Sequence, residues 1–173
     1  DLGSGVVRRV GSSPIRRTKN KLEAFKILSW RLFNWLDMNK HQLCCIGHIT
    51  LDKVVTPQNT VYMPGGTAFY CSHAIRHFND IDYALVTAVG VTEMNVVEQL
   101  REMGIHVTAL PSKYSVYFEN IYGANPDDRT QRVLAKADPF TAGQLKDIDA
   151  QIYHLGSLLA DDFSLEVIKE LSQ

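Results

Sequence analysis

The sequence predicts an α/β fold built on a mostly parallel sheet, and three observations carry that expectation. Short apolar runs of strand length recur between Leu43 and Leu155, with amphipathic stretches of helix length between several of them. The run from Asp82 to Val89 is rich in β-formers. Met63-Pro64-Gly65-Gly66-Thr67 turns a strand-like run directly into a helix-like one. At 173 residues the chain is long enough for one domain with a real core.

Residues 1–37 differ in character from the rest. Asp1 to Thr18 is rich in Gly, Ser and Arg and is expected to be flexible. Asn20 to Leu36 then places Leu22, Phe25, Leu28, Leu32 and Leu36 at helical spacing, widened by Trp30, Phe33 and Trp35. Lys21, Lys26 and Arg31 occupy the other side. Three readings fit this basic amphipathic helix: an extension or upstream sequence, a helix docked on the domain, or a membrane or targeting segment. Met38-Asn39-Lys40 looks like an ordinary protein start, so the domain is expected over 38–173.

The elements follow in order. Leu43 to Gly47 is a short strand of buried type, and Leu51 to Val55 and Thr60 to Met63 are further strands. Thr67 to Phe78 puts Ala68, Cys71, Ile75 and Phe78 on one helical face. After the strand at 82–89, Thr92 is placed to cap a helix whose Val96, Leu100 and Met103 share a face and which Gly104 ends. Ile105 to Leu110 is a strand. Tyr114 to Tyr122 alternates, Gly123 to Arg129 is turn chemistry, and Thr130 to Ala135 pairs back as a hairpin. Thr141 and Gln144 form a capping box, Gln151 to Leu155 is a strand, and Ser164 caps a last helix through Leu171. The hairpins fit a parallel layer poorly and are expected to form a small sheet that flanks or covers it.

Charge and cysteine usage narrow the function classes. Residues 1–37 carry eight Lys/Arg against three Asp/Glu, and residues 38–173 carry ten against sixteen. The mildly acidic body argues against a nucleic-acid-binding face. Cys44, Cys45 and Cys71 are odd in number, and two are vicinal. That suits a reducing, cytoplasmic setting better than a disulfide framework. No apolar run reaches the length of about 18 residues that a membrane span requires.

Gly65 and Gly66 lack a Cβ, so backbone there can pass close to a bound molecule. The helix start that follows offers unpaired N–H groups and the positive end of the helix dipole, which suit a hydroxylated or anionic small molecule. A tight turn with no ligand explains the same residues. His73 and His77 are four apart on a helix, but packing or surface placement accounts for them better than a metal. Strand alternation sends Cys44 and Cys45 to opposite faces, against a cluster of His41, Cys44, Cys45 and His48. Asp127, Asp128 and Arg129 are expected in a solvated turn, and Asp161 and Asp162 as helix caps.

From about Leu43 to Gln173 the chain resembles the N-terminal half of the ribokinase-like (PfkB) family of carbohydrate and nucleoside kinases. Four segments carry the resemblance in the right order: Ile46-Gly47-His48-Ile49-Thr50-Leu51-Asp52, Pro64-Gly65-Gly66, Thr87-Ala88-Val89-Gly90 and His154-Leu155-Gly156. The resemblance implies a three-layer α/β/α domain with a small lid β-sheet, cut short on its C-terminal side. It implies transfer of the γ-phosphoryl group of ATP, with Mg²⁺, to a hydroxyl of a sugar, polyol or nucleoside. This half would supply the acceptor site. Asp52 would accept hydrogen bonds from substrate hydroxyls, and Gly65 and Gly66 would let backbone N–H groups approach them. Tyr70 stands where family members commonly have asparagine, and Val91-Thr92-Glu93 where they commonly have acidic residues. Tyr117, Phe118 or Glu119 would face the substrate from the lid. The catalytic aspartate, the glycine-rich anion hole and the ATP site would lie beyond Gln173, so no catalytic residue and no metal ligand is assigned within the chain. A homodimer through the lid strands is a further expectation. The alternatives are a non-catalytic small-molecule-binding or dimerisation module, and a protein attached to membranes by residues 20–36.

Overall fold

The computed structural model describes residues 40–173 except 79 and 126, so the expected extension over 1–37 and its helix lie outside the described residues. In chain order the elements are β1 (His41–Gly47), β2 (Thr50–Val55), β3 (Thr60–Gly65), α1 (Gly66–Ile75), β4 (Tyr83–Val89), a 3₁₀ turn (Val91–Glu93) and α2 (Met94–Glu102). Then come β5 (His106–Pro111), β6 (Val116–Tyr122), β7 (Arg129–Ala135), α3 (Ala142–Leu145), β8 (Ala150–Gly156) and α4 (Leu165–Leu171).

Two four-stranded sheets organise these elements. The main sheet has the order β5-β4-β1-β8 and is parallel throughout. Its central strand β4 is buried along its whole length, which a parallel strand covered on both faces requires. Alternation divides the core in two. Cys45, Leu85, Val97 and Leu100 pack under α1 and α2 on one face, and Cys44, Ile46, Ala84, Leu145 and Val167 pack with α3 and α4 on the other. The vicinal cysteines therefore point to opposite faces, and the main sheet is the middle of three layers. Each fully buried Ile46, Leu85 or Leu100 contributes roughly 1.5–3 kcal/mol by leaving water.

The second sheet has the order β3-β2-β6-β7. The expected strands at 51–63 and the expected hairpin at 114–135 merge into it, because β2 and β6 pair in parallel while β3 and β7 add as antiparallel edges. Pro64 sits opposite Leu51 on the edge strand β3, where its missing N–H costs no ladder bond.

Three local expectations are corrected. α1 stops at Ile75, and the next turn tightens through bonds from His77 N to Ala74 O and from Phe78 N to Ile75 O; Phe78 is left exposed. Thr92 does not cap α2. It lies inside the 3₁₀ turn and its hydroxyl donates to Glu93 Oε2. Ser164, not Asp161 or Asp162, caps α4, with its Oγ accepting from Val167 N at 3.3 Å. Asp161 pairs instead with Lys136 at 3.1 Å. The capping box of Thr141 and Gln144 is present, and Gly104 follows α2 at φ 85° with a bond from Ile105 N to Leu100 O.

Candidate acceptor site

The strand order places the site. From β1 the chain moves to β4 and β5 on one side and to β8 on the other, so the order reverses between β1 and β8. In open α/β sheets ligands collect outside the carboxyl ends of strands at such a point. Gly47 and Gly156 are register partners there, and a Cβ on Gly156 would lie 2.9 Å from Thr67 Cγ2. The first turn of α1 thus rests directly on the ends of the two strands.

Asp52 and the paired glycines converge. A Cβ built on Gly65 would lie 2.5 Å from Asp52 Oδ2 and 3.0 Å from Thr50 Oγ1. The carboxylate therefore abuts bare backbone that only glycine leaves open. Thr50 Oγ1 donates to Asp52 Oδ1 at 2.7 Å and fixes the rotamer. Gly66 has φ 88°, and a Cβ there would lie 2.5 Å from the carbonyl oxygen of His48. Among the described residues no side chain caps the start of α1, so its first N–H groups are not spent on a cap.

Asp52 opens onto a cleft of about 690 Å³ between one face of the second sheet and α1, a volume in the range of about 300–1,000 Å³ usual for small-molecule sites. Met63, Tyr70, Asn120, Arg129 and Gln131 line it with Asp52. Asn120 is 5% exposed, and its Oδ1 accepts from Gln131 Nε2 at 2.9 Å. The lining thus combines a carboxylate, three carboxamides (Gln58, Asn120 and Gln131) and a guanidinium, which suits a polyhydroxy compound.

The sequence-predicted residues divide. Asp52 and Tyr70 line this cleft. Gly65 backs the Asp52 carboxylate and Gly66 abuts the His48 carbonyl, and neither glycine lines the cleft. Tyr117 and Glu119 do not line it. Asp52 pairs in register with Phe118, so the odd-numbered residues of β6 share the opposite face with Lys53. There Glu119 Oε1 lies 2.9 Å from Lys53 Nζ, and Oε2 lies 3.7 Å from Arg132. The Lys53 ammonium holds the Glu119 carboxyl below its ordinary range. Tyr117 lines a separate groove with Leu51, Glu93 and Tyr114. Asn120, Arg129 and Gln131 were not anticipated. The available signal was the two-residue repeat on β6 and β7, counted from the position opposite Asp52.

His48 and Asp162 support the site from below. His48 is fully buried and stacks on Phe140 at 4.6 Å. Its Nδ1 is 3.3 Å from Ala88 O, and its Nε2 is 3.4 Å from Asp162 Oδ1. Asp162 Oδ2 accepts from Leu158 N and Leu159 N at 2.7 and 2.9 Å. Burial works to raise the Asp162 carboxyl, but the adjacent His48 imidazole and the bonds from these two N–H groups outweigh it and hold it below its ordinary value. This network anchors the β1–β2 link, whose carbonyl faces Gly66.

No protein-family profile matches the chain, and no curated protein matches it. Solved structures do. A pyrophosphate-dependent kinase of the ribokinase family, determined as a sulfate complex, superposes with TM-score 0.65 at 25% identity over 75% of this chain and 46% of that one. A pyrophosphate-dependent kinase of the same family with a pyrophosphate analog and myo-inositol gives TM-score 0.62 at 24% identity, over 75% of this chain and 45% of that one. Phosphofructokinase-2 from Escherichia coli with fructose-6-phosphate gives TM-score 0.55 at 17% identity, over 76% of this chain and 50% of that one. The structural neighbours are thus ribokinase-family kinases, and this chain carries the ribokinase fold over a span equal to about half the length of theirs.

Proposed function

We propose that residues 38–173 are the acceptor-binding half of a kinase that phosphorylates a hydroxyl of a sugar, polyol or nucleoside. The observation that carries this reading is the Asp52 carboxylate, which lines the cleft while held by Thr50 and pressed against Gly65. A carboxylate so placed accepts from two neighbouring hydroxyls at once and orients a third for attack. Asn120 and Gln131 add amide contacts, and Arg129 meets an anionic substituent if the acceptor carries one. The start of α1 offers N–H groups where negative charge gathers during transfer.

The donor follows from the family expectation of ATP with Mg²⁺. Three of the solved neighbours are described as pyrophosphate-dependent, so pyrophosphate is the second donor to test. The free thiols Cys44, Cys45 and Cys71 fit a reducing compartment such as the cytoplasm. A role in self-association is a second reading, favoured by Val61, Tyr62, Val133 and Leu134, which are exposed on the edge strands β3 and β7.

Thermal unfolding with myo-inositol, fructose-6-phosphate and adenosine tests the acceptor site. One of the three should raise the melting temperature, since a ligand at 100 times its Kd adds about 2.7 kcal/mol. Asp52→Ala should abolish the rise. Absence of a shift with all three, or a shift that survives Asp52→Ala, refutes the assignment. Light scattering on the same samples reads the second reading: a monomer at every concentration ends it.

A further inference from the structure

Three soft or borderline ligands meet on the α1 side of the main sheet, away from the acceptor cleft. Cys45 lies on β1 and His154 on β8, and the two are register partners on adjacent parallel strands. Cys71 comes down from α1 onto the same face and packs against the core cluster that holds Cys45. The two sulfur atoms and an imidazole nitrogen all lie within 4.8 Å of one another. We infer that Cys45, Cys71 and His154 form a zinc-binding site that ties α1 to β1 and β8.

The geometry is close to what the ion needs. Tetrahedral zinc, with Zn–S near 2.3 Å and Zn–N near 2.0 Å, sets its ligand atoms roughly 3.5–3.8 Å apart. The observed atoms reach that spacing by moving about 1 Å at most. The ligand types fit as well, because two thiolates and an imidazole select a borderline-soft ion over magnesium or calcium. Burial is graded in the useful sense: Cys45 is buried, Cys71 is half-buried and His154 is exposed. An ion can therefore enter past the imidazole, and a water can complete the tetrahedron there. Binding releases two thiol protons, and the resulting centre (Zn²⁺ with two thiolates) is neutral, which the edge of an apolar core tolerates.

The place matters because of its neighbours. Cys45 is two residues before Gly47, and His154 is two residues before Gly156. Those glycines are the strand ends on which the first turn of α1 rests. A cross-link at Cys71 holds α1 in that position.

The test uses the full chain, reduced with a phosphine and stripped of metal. Zn²⁺ titrated against a chromophoric chelator should load one equivalent per chain and raise the melting temperature. Co²⁺ in its place should give a thiolate-to-cobalt charge-transfer absorption. His154→Ala changes an exposed side chain and leaves the core intact, and it should weaken Zn²⁺ binding by at least about 10-fold. Cys71→Ser should weaken binding as much and reduce the charge-transfer absorption of any bound Co²⁺, since only the Cys45 thiolate remains. Cys44→Ser, on the opposite face, and His41→Ala, in the exposed pair with His106, should leave the affinity unchanged. No stoichiometric Zn²⁺ binding overturns the inference. Binding untouched by both His154→Ala and Cys71→Ser, or lost in His41→Ala, overturns it as well.

Discussion

Gly65 and Gly66 are neighbours and alike in sequence, yet the structure asks different things of them. At Gly65 the obstacle to a side chain is the end of the Asp52 carboxylate, a group that can swing aside. At Gly66 it is the backbone carbonyl of His48, combined with φ 88°, and neither can yield. Gly66→Ala should therefore cost the fold about 1–3 kcal/mol. Gly65→Ala should cost the fold less and the site more, because it displaces the carboxylate that Thr50 holds. Urea unfolding of both variants, beside the ligand-induced melting shift, separates the two effects. Equal loss of stability in the two would show that the His48 carbonyl moves and that the distinction is wrong. The paired glycines were legible in the sequence; their division of labour was not, since it depends on which atoms of β2 and of the β1–β2 link lie opposite.

Elements were legible where the pattern is local, and their partners were not. All eight strands among the described residues announce themselves through β-formers and turn residues. The antiparallel hairpin of β6 and β7 is equally local. The parallel pairing of β2 with β6 joins residues more than 60 apart, and no local period reports it. The phase of β6 depends on that pairing, which is why Tyr117 and Glu119 were expected in the site while Asn120 lines it. The same limit hid the link from His48, between β1 and β2, to Asp162, between β8 and α4. That link makes a prediction about acid. The folded-state pKa of Asp162 is depressed, so its contribution to stability is complete above the unfolded value near 4 and is lost as pH falls through the folded value. Asp162→Asn should lower stability at pH 7 by about 1.5–3 kcal/mol, the range for hydrogen bonds to a charged group. It should also flatten the decline below about pH 4. Urea midpoints measured at neutral and acid pH for both proteins give the comparison. An unchanged acid slope in the variant would mean that other carboxylates set it.

At the scale of the whole described unit, the two sheets are built to different standards of burial. The main sheet has a core cluster on each face, and β4 is buried from end to end. The second sheet presents β7 and the first four residues of β3 to solvent, and its inner strand β6 buries only alternate residues. Opening free energy follows buried apolar contact, so the two sheets should not open together. Amide hydrogen exchange should find β1 and β4 protected close to the global limit and β3 and β7 exchanging fastest among the strands. An acceptor bound at Asp52 contacts β2 directly and β6 through Asn120, so it should slow exchange in those two strands while leaving β4 and β5 unchanged. That pattern is what a closing lid requires: an element ordered by the ligand, carried on a framework that the ligand does not alter. Uniform protection across both sheets, or protection on binding that appears in β5 rather than β2, would mean that the second sheet is a fixed wall of the domain and that closure plays no part in holding the acceptor.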